Sequence, residues 1–231
     1  MHWLAARGYR SATLAQWARG EIHPKERTVW ITFDDGYADN YTAAFPILQR
    51  YGFTATVFLV TGSVGREEVF WWDRSKLAAG VDRRAYFPLN WEQIAQMSAA
   101  GFEFGVHTRT HPAALTALPP DQRWEEIAGS RADLSSRLGL AAASFCYPRG
   151  DLDPGTAQMV AAAGYECAVV TPPRAGIPHT RYSLRRISLY REYGPALFRL
   201  MVTPFFRRHY LWFKRLRRAL SPRLRRSVQP T

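Results

Sequence analysis

Val29-Trp30-Ile31-Thr32-Phe33-Asp34-Asp35-Gly36 is the stretch from which the rest of the chain can be read. Five β-branched and aromatic residues in succession suit a buried strand, and two acids and a glycine then end it abruptly. In parallel α/β sheets, ligands and catalysts gather at the carboxyl ends of the strands, because the strand-to-helix loops there are free to vary. Two adjacent carboxylates in that position face a pocket. Further strand-like runs fall at 55–60, 102–106, 143–147, 166–171 and 184–189, after the first at 29–33. Helical stretches from Asn40 to Arg50, Trp91 to Ala100, Arg123 to Leu138 and Gly155 to Ala163 lie between them. The alternation predicts an α/β fold with a parallel sheet, and spacing alone leaves open a barrel or a doubly wound sheet. The 231 residues suit one domain with a large core and no internal repeat.

A second motif lies on the same rim. Gly101-Phe102-Glu103-Phe104-Gly105-Val106 reads as another strand, so His107-Thr108-Arg109-Thr110-His111 begins where that strand ends. Two histidines four apart can reach one ion from a single turn, and imidazole with carboxylate oxygen suits Zn²⁺ and neighbouring first-row ions. Pro112 disfavours a helix continuing through His111. Alone, such a pair is equally a pair of surface or core histidines, and the Asp-Asp-Gly upstream favours ligation. Cys146 and Cys167 are too few for a disulfide framework or a cysteine-rich metal site and read as free buried thiols.

Thr32-Phe33-Asp34-Asp35-Gly36 and His107-Thr-Arg-Thr-His111 resemble the first two motifs of the polysaccharide deacetylase family, the NodB-homology domain of carbohydrate esterase family 4. A third motif is matched in part by Phe145-Cys146-Tyr147-Pro148-Arg149-Gly150, and the likeness covers roughly residues 8 to 190. The resemblance implies a distorted, incomplete (β/α) barrel in a single catalytic domain, residues 1–194, followed by a tail, 195–231. It further implies that Asp35, His107 and His111 hold a divalent metal, most simply Zn²⁺, with Co²⁺, Ni²⁺ or Mn²⁺ as alternatives. Asp34 would be the general base toward metal-activated water, and the backbone N–H of Arg149 would face the oxyanion. Tyr147, Pro148 and Arg149 would line the substrate. The implied reaction removes N-acetyl groups from amino sugars of a glycan or lipid-linked saccharide. Deformylation or O-deacetylation would use the same chemistry.

Departures from the family pattern are equally legible. Cys146 stands where many members carry an arginine that orients the catalytic aspartate, so that contact is expected to be missing. The late strand around Tyr182-Ser183-Leu184-Arg185-Arg186-Ile187 offers arginines in place of a histidine that protonates the leaving amine, and arginine is a poor proton donor. His179 lies nearby as a loop residue outside the expected catalytic set. These departures keep in view a catalytically silent glycan- or membrane-binding protein. Trp71 and Trp72, with Asp73, read as anchors of a long connection or as a sugar-stacking surface. Asp39, Asn40, Asp151 and Asp153 read as turn and capping residues, with Pro154 opening a helix.

Charge is uneven along the chain, whose net charge is +12. From Cys167 onward there are 15 Lys or Arg and one acid, Glu192, whereas the first 166 residues hold 16 basic and 18 acidic side chains. The tail from Pro195 mixes arginines with leucines and aromatics and lacks an apolar run long enough to cross a bilayer. It suits either peripheral contact with an anionic membrane surface or a helix packed on the barrel before a basic end. No recognition module points to nucleic acid. Met1 to Gly8 reads as the end of a helix, and members of the family it resembles usually begin with an earlier strand and loop, so the expectation is either an internally started or truncated form lacking an edge strand or a genuinely short variant. No signal-peptide pattern is visible in positions 1 to 20, and the compartment stays open.

Overall fold

The run from Val29 to Phe33 forms two strands instead of one. In chain order the elements are α1 (His2–Ala5), β1 (Arg10–Ser11), α2 (Leu14–Ala18), β2 (Thr28–Val29), β3 (Thr32–Phe33), α3 (Phe45–Arg50), β4 (Thr56–Leu59) and α4 (Trp91–Ala99). They continue with β5 (Glu103–Val106), α5 (Pro120–Trp124), α6 (Ser130–Leu138), β6 (Ser144–Cys146), α7 (Pro154–Ala162), β7 (Cys167–Val170), β8 (Leu184–Arg185) and α8 (Pro195–Val202). This computed structural model describes all residues except 24–26, 76, 78–79, 81, 140–141, 172–176, 191, 204–205, 207–208 and 210–231. β2 pairs with β1 in a two-stranded parallel sheet, after which the chain steps across to place β3 beside β4 in a second sheet. Hydrogen bonding to two different partners breaks what composition reads as one continuous strand.

The second sheet has the order β3-β4-β5-β6-β7-β8, every pair parallel. Strand order equals chain order, so the sheet always winds the same way and lacks the reversal that defines a doubly wound fold. Among the described pairings β3 and β8 do not meet. The result is a distorted, incomplete (β/α) barrel whose seam lies between its first and last strands. Val57, Phe58, Leu59, Val106 and Phe145 are essentially buried, each contributing about 2 kcal/mol of apolar burial against the entropy of ordering it. Gly105 is required by this packing, since a Cβ there would lie 2.5 Å from Ser144 Oγ and 2.7 Å from the Phe58 ring.

The amino end of the barrel is closed by α2. Thr13 caps it with a reciprocal Thr13–Gln16 pair, and the freed N–H groups of Leu14 and Ala15 donate to Thr56 Oγ1 and Glu103 Oε2. Glu103 also accepts from Thr56 and Ser144, so one carboxylate ties β4, β5 and β6 to a helix start, where negative charge is favoured. Leu14 joins Phe58, Cys146, Cys167 and Val169 in the core beneath the opposite rim. Both cysteines are free and buried. The stretch expected as one helix from Arg123 starts earlier, at Pro120, and passes through a π-helical turn, Glu125–Gly129, before α6. A similar turn, Asn40–Ala44, leads into α3; Asp39 occupies its cap position without making a capping bond.

The chain divides into two units, Met1–Ile187 and Ser188–Thr231. In the second, α8 is the described helix, and Leu197 and Leu200 on it are exposed. Most of the basic tail, including Pro204 and everything from 210, lies outside the described residues. Among the described residues no helix is long and apolar enough to cross a membrane.

Candidate active site

Four described residues other than glycine hold a positive φ, and all four follow the carboxyl ends of strands: Asp35 (68°), Thr108 (66°), His111 (56°) and Arg149 (55°). Left-handed backbone costs such residues about 1 kcal/mol or more each, so surrounding contacts must hold them there. Gly36 supplies one such contact. Its φ is 73°, and a Cβ would lie 2.5 Å from buried Leu59 Cδ2, so only glycine lets the Asp34-Asp35 turn lie on β4.

The loop after β5 is clamped from below. Buried Glu126, on the π-helical turn, accepts from the Arg109 N–H (2.8 Å), the Thr110 N–H (2.9 Å) and the Thr110 hydroxyl (2.6 Å). Thr108 Oγ1 accepts from the His111 N–H at 3.1 Å and donates to the His107 carbonyl at 2.5 Å. Arg109 adds ion pairs to Glu125 and Asp133. Nothing in the sequence marks Glu126, because its role depends on the helix crossing beneath the loop.

His107 and His111 thereby point at Asp35. Their Nε2 atoms lie 3.5 Å and 3.7 Å from Asp35 Oδ1, and the donor atoms of the three side chains fall within 4.8 Å of one another. His107 Nδ1 lies 2.7 Å from the Cys146 carbonyl; as donor to it, the ring leaves the Nε2 lone pair free toward Asp35. Among the described residues, Asp35 Oδ1 is buried without a hydrogen-bond partner, as is His111 Nδ1. An unpaired buried carboxylate oxygen is costly, and a cation shared with two imidazoles removes that cost. These residues therefore fit a divalent ion with one oxygen and two nitrogen ligands, a donor set suited to Zn²⁺ and its neighbours. Burial pushes Asp35 up to about 6, with Asp34 adding to the shift and His107 opposing it. Burial, then the charges of His107 and Arg149, push His111 down to about 3, keeping it neutral as ligation demands.

A second grouping, Asp34, His107 and Cys146, also brings ligand atoms together. A guanidinium already occupies it. Arg186, just past β8, donates Nη1 to Asp34 Oδ1 at 2.6 Å and Nη2 to Asp34 Oδ2 at 2.8 Å, a bidentate pair. The same group reaches Thr32, Thr171 and Cys146 Sγ, spanning the seam between β3 and β8. Cys146 Sγ in turn donates to Asp34 Oδ1 at 3.6 Å, and burial pushes its thiol up so that it stays protonated. Burial alone would raise Asp34, but the charge and hydrogen bonds of Arg186 outweigh it and hold the carboxyl at about 2. The expectation that the orienting contact is missing is thus corrected: Arg186 supplies it from the last strand. The sequence does not assign Arg186 this role, because chain order does not reveal which strands flank the seam.

Arg149 sits at the tip of a tight turn, Pro148–Gly150, closed by Gly150 N–H to the Tyr147 carbonyl and Asp151 N–H to the Pro148 carbonyl. Neither bond uses the Arg149 N–H. Tyr147 and Pro148 are buried, Tyr147 donating its hydroxyl to the Tyr182 carbonyl at 3.0 Å. They build the turn, and Arg149 is the residue of the three that is exposed. Asp151 accepts from Thr116, and Asp153 caps α7 through the Thr156 N–H. The two tryptophans divide their roles. Trp72 packs its ring 4.3 Å from that of His111 and donates to Tyr37, whose hydroxyl bonds Asp73, while Trp71 is 47% exposed. His179 is exposed, and nothing described brings it to the centre.

The sequence profile of the polysaccharide deacetylase family matches residues 21–168. The chain belongs to that family. The putative polysaccharide deacetylase YxkH of Bacillus subtilis (strain 168) is 30% identical over 191 residues, 81% of this chain and 61% of that protein. The poly-β-1,6-N-acetyl-D-glucosamine N-deacetylase of Staphylococcus aureus (strain N315) is 24% identical over 196 residues, 80% of this chain and 63% of that one. The chain therefore spans about three-fifths of the length of these curated relatives. Among solved structures, the Streptococcus pyogenes deacetylase PplD in complex with acetate superposes with a TM-score of 0.70 at 26% identity, covering 87% of this chain and 83% of that one. IcaB from Ammonifex degensii gives 0.67 at 25% identity, covering 87% and 84%. This polysaccharide deacetylase domain thus shares the family's barrel as well as its motifs.

Proposed function

We infer that the domain hydrolyses the N-acetyl group of an amino sugar in a glycan or lipid-linked saccharide, releasing acetate and leaving a free amine. The observation that carries this reading is the convergence of Asp35, His107 and His111 on one point, with Asp34 beside it on an adjacent residue. The printed activity of the Staphylococcus aureus relative, on a polymer of N-acetyl-D-glucosamine, supports the amide and the sugar class.

A bound Zn²⁺, or Co²⁺, Ni²⁺ or Mn²⁺ in its place, would lower the pKa of water and polarise the amide carbonyl. Asp35, His107 and His111 hold that ion. Asp34 takes the proton of the attacking water, and Arg186 fixes both its oxygens within reach of the His107 ring. The proton Asp34 takes up can then pass to the departing nitrogen, which leaves as the free amine. The Arg149 N–H, presented by its left-handed turn, faces the oxyanion that forms at the carbonyl.

Acetate release from N-acetylglucosamine oligomers by protein loaded with Zn²⁺ or Co²⁺ tests this reading, with formate assayed in parallel to identify the acyl group. Asp34→Asn is expected to reduce release at least ~10³-fold while the ion stays bound, since it removes the base but none of the three ligands. Failure to bind any divalent ion would overturn the assignment.

A further inference from the structure

The arginines around the groove beside the centre are not equivalent. Arg66 and Arg74 are paired with Glu68, and Arg109 is paired with Glu125 and Asp133. Arg149 has no carboxylate within ion-pair distance among the described residues. Its guanidinium lies over the exposed ring of Trp71, 5.7 Å from the centroid. Trp71 packs edge-on against Trp72 at 5.4 Å, and Trp72 lies 4.3 Å from the His111 ring. A continuous aromatic row therefore connects this cation to a candidate metal ligand.

The adjoining groove has a volume of about 350 Å³ and is lined by Arg66, Trp71, Arg74, Arg109 and Thr110 among others, Thr110 being the neighbour of His111. It is of ligand size, and Trp71 and Thr110 in its wall adjoin Trp72 and His111 in sequence. A guanidinium held over an indole face by cation–π attraction can still donate its N–H groups to a planar or tetrahedral oxyanion.

We propose that Arg149 and Trp71 form a subsite for an anionic substituent, a carboxylate or phosphate on the saccharide next to the acetamido group being cleaved. Trp71 stacks on the sugar ring and steadies the guanidinium, while Arg149 binds the oxyanion. The enzyme therefore selects anionic over neutral N-acetylated glycans. The subsite rests on the deacetylase reading and narrows its substrate class.

The test compares acetate release from three matched N-acetylglucosamine oligosaccharides: one neutral, one alternating with a uronic acid, and one carrying a sugar phosphate. Wild-type kcat/KM for at least one anionic substrate should exceed the neutral value by ~10-fold or more, the scale of a hydrogen bond to a charged group. In Arg149→Gln that ratio should fall toward unity, in Arg149→Lys it should fall only part way, and Trp71→Ala should lower kcat/KM for all three through KM. The arm that wins tells carboxylate from phosphate. The same oligosaccharides titrated calorimetrically into Asp34→Asn at low and high salt give a readout independent of turnover. Salt-sensitive preference for an anionic ligand there, lost on adding Arg149→Gln, upholds the subsite even if no acetate is ever released. A wild-type ratio of one in both assays, or a ratio that Arg149→Gln leaves unchanged, overturns it.

Discussion

Asp34 and Asp35 are neighbours with the same side chain and opposite electrostatic fates. Arg186 holds Asp34 down at about 2, whereas burial without a hydrogen-bond partner for Oδ1 pushes Asp35 up to about 6. Because its folded pKa is depressed, Asp34 contributes stability that is present above about pH 4 and lost as pH falls through about 2. Arg186→Leu removes that contribution and leaves burial to raise Asp34. The acid limb of the pH dependence of kcat/KM should then move to higher pH, and kcat should fall ~10- to 100-fold as the base loses its orientation. A pH–rate profile checks both. Asp35 works in the other sense: its folded pKa lies above the unfolded one, so its own contribution to the stability of the metal-free protein is fully present below about pH 4 and is lost as pH rises through about 6. Asp35→Asn should therefore stabilise the metal-free protein at pH 7, by up to about 3 kcal/mol, while abolishing the rise in Tm that a divalent ion produces. Thermal melts with and without Zn²⁺ decide it.

At the scale of elements, the loop after β5 is held by the helical turn that carries Glu126. Glu126 gathers three hydrogen bonds from Arg109 and Thr110, which sit between the two histidines. Glu126→Ala leaves all three candidate ligands in place but frees the segment that aims them, so metal affinity should drop ~10- to 100-fold, as seen when supporting contacts of ligands are removed. Competition against a chromophoric chelator measures it; an unchanged affinity would show that Thr108 and the ion pairs of Arg109 fix the loop without Glu126. The order of strands and helices was legible in the chain. Alternating apolar runs and turn residues locate β4, β5, β6 and β7 to within a residue or two. The break between β2 and β3 was not legible, because both halves have strand composition and only their partners differ.

For the whole molecule, charge is segregated along the chain. From Pro195 to Thr231 there are 10 Lys or Arg and no acid, interleaved with leucines and aromatics. On the described part, Leu197 and Leu200 are exposed on α8, with Leu189 and Tyr190 exposed just before it. Cations beside exposed apolar side chains are the requirements of an anionic lipid surface. Sedimentation with vesicles should show binding to those containing phosphatidylglycerol, weakening as salt rises, and little binding to phosphatidylcholine alone. Equal binding to both, or neither, would leave the charge without this role.

By itself the sequence determined the fold class and the chemistry's raw materials: strand ends carrying Asp34, Asp35, His107 and His111, and the turn holding Arg149. Those features are local, since strand composition, turn residues and motif spacing act over a few neighbours. Tertiary structure decided what no local pattern encodes. The one-directional strand order makes a barrel with a seam, and the seam places Arg186 on Asp34 across 152 positions of chain. Burial then separates two adjacent carboxyls, and a turn in left-handed backbone sets Arg149 over Trp71. Each of these depends on distances through space and on the exclusion of water, and both come into being only when the chain has folded.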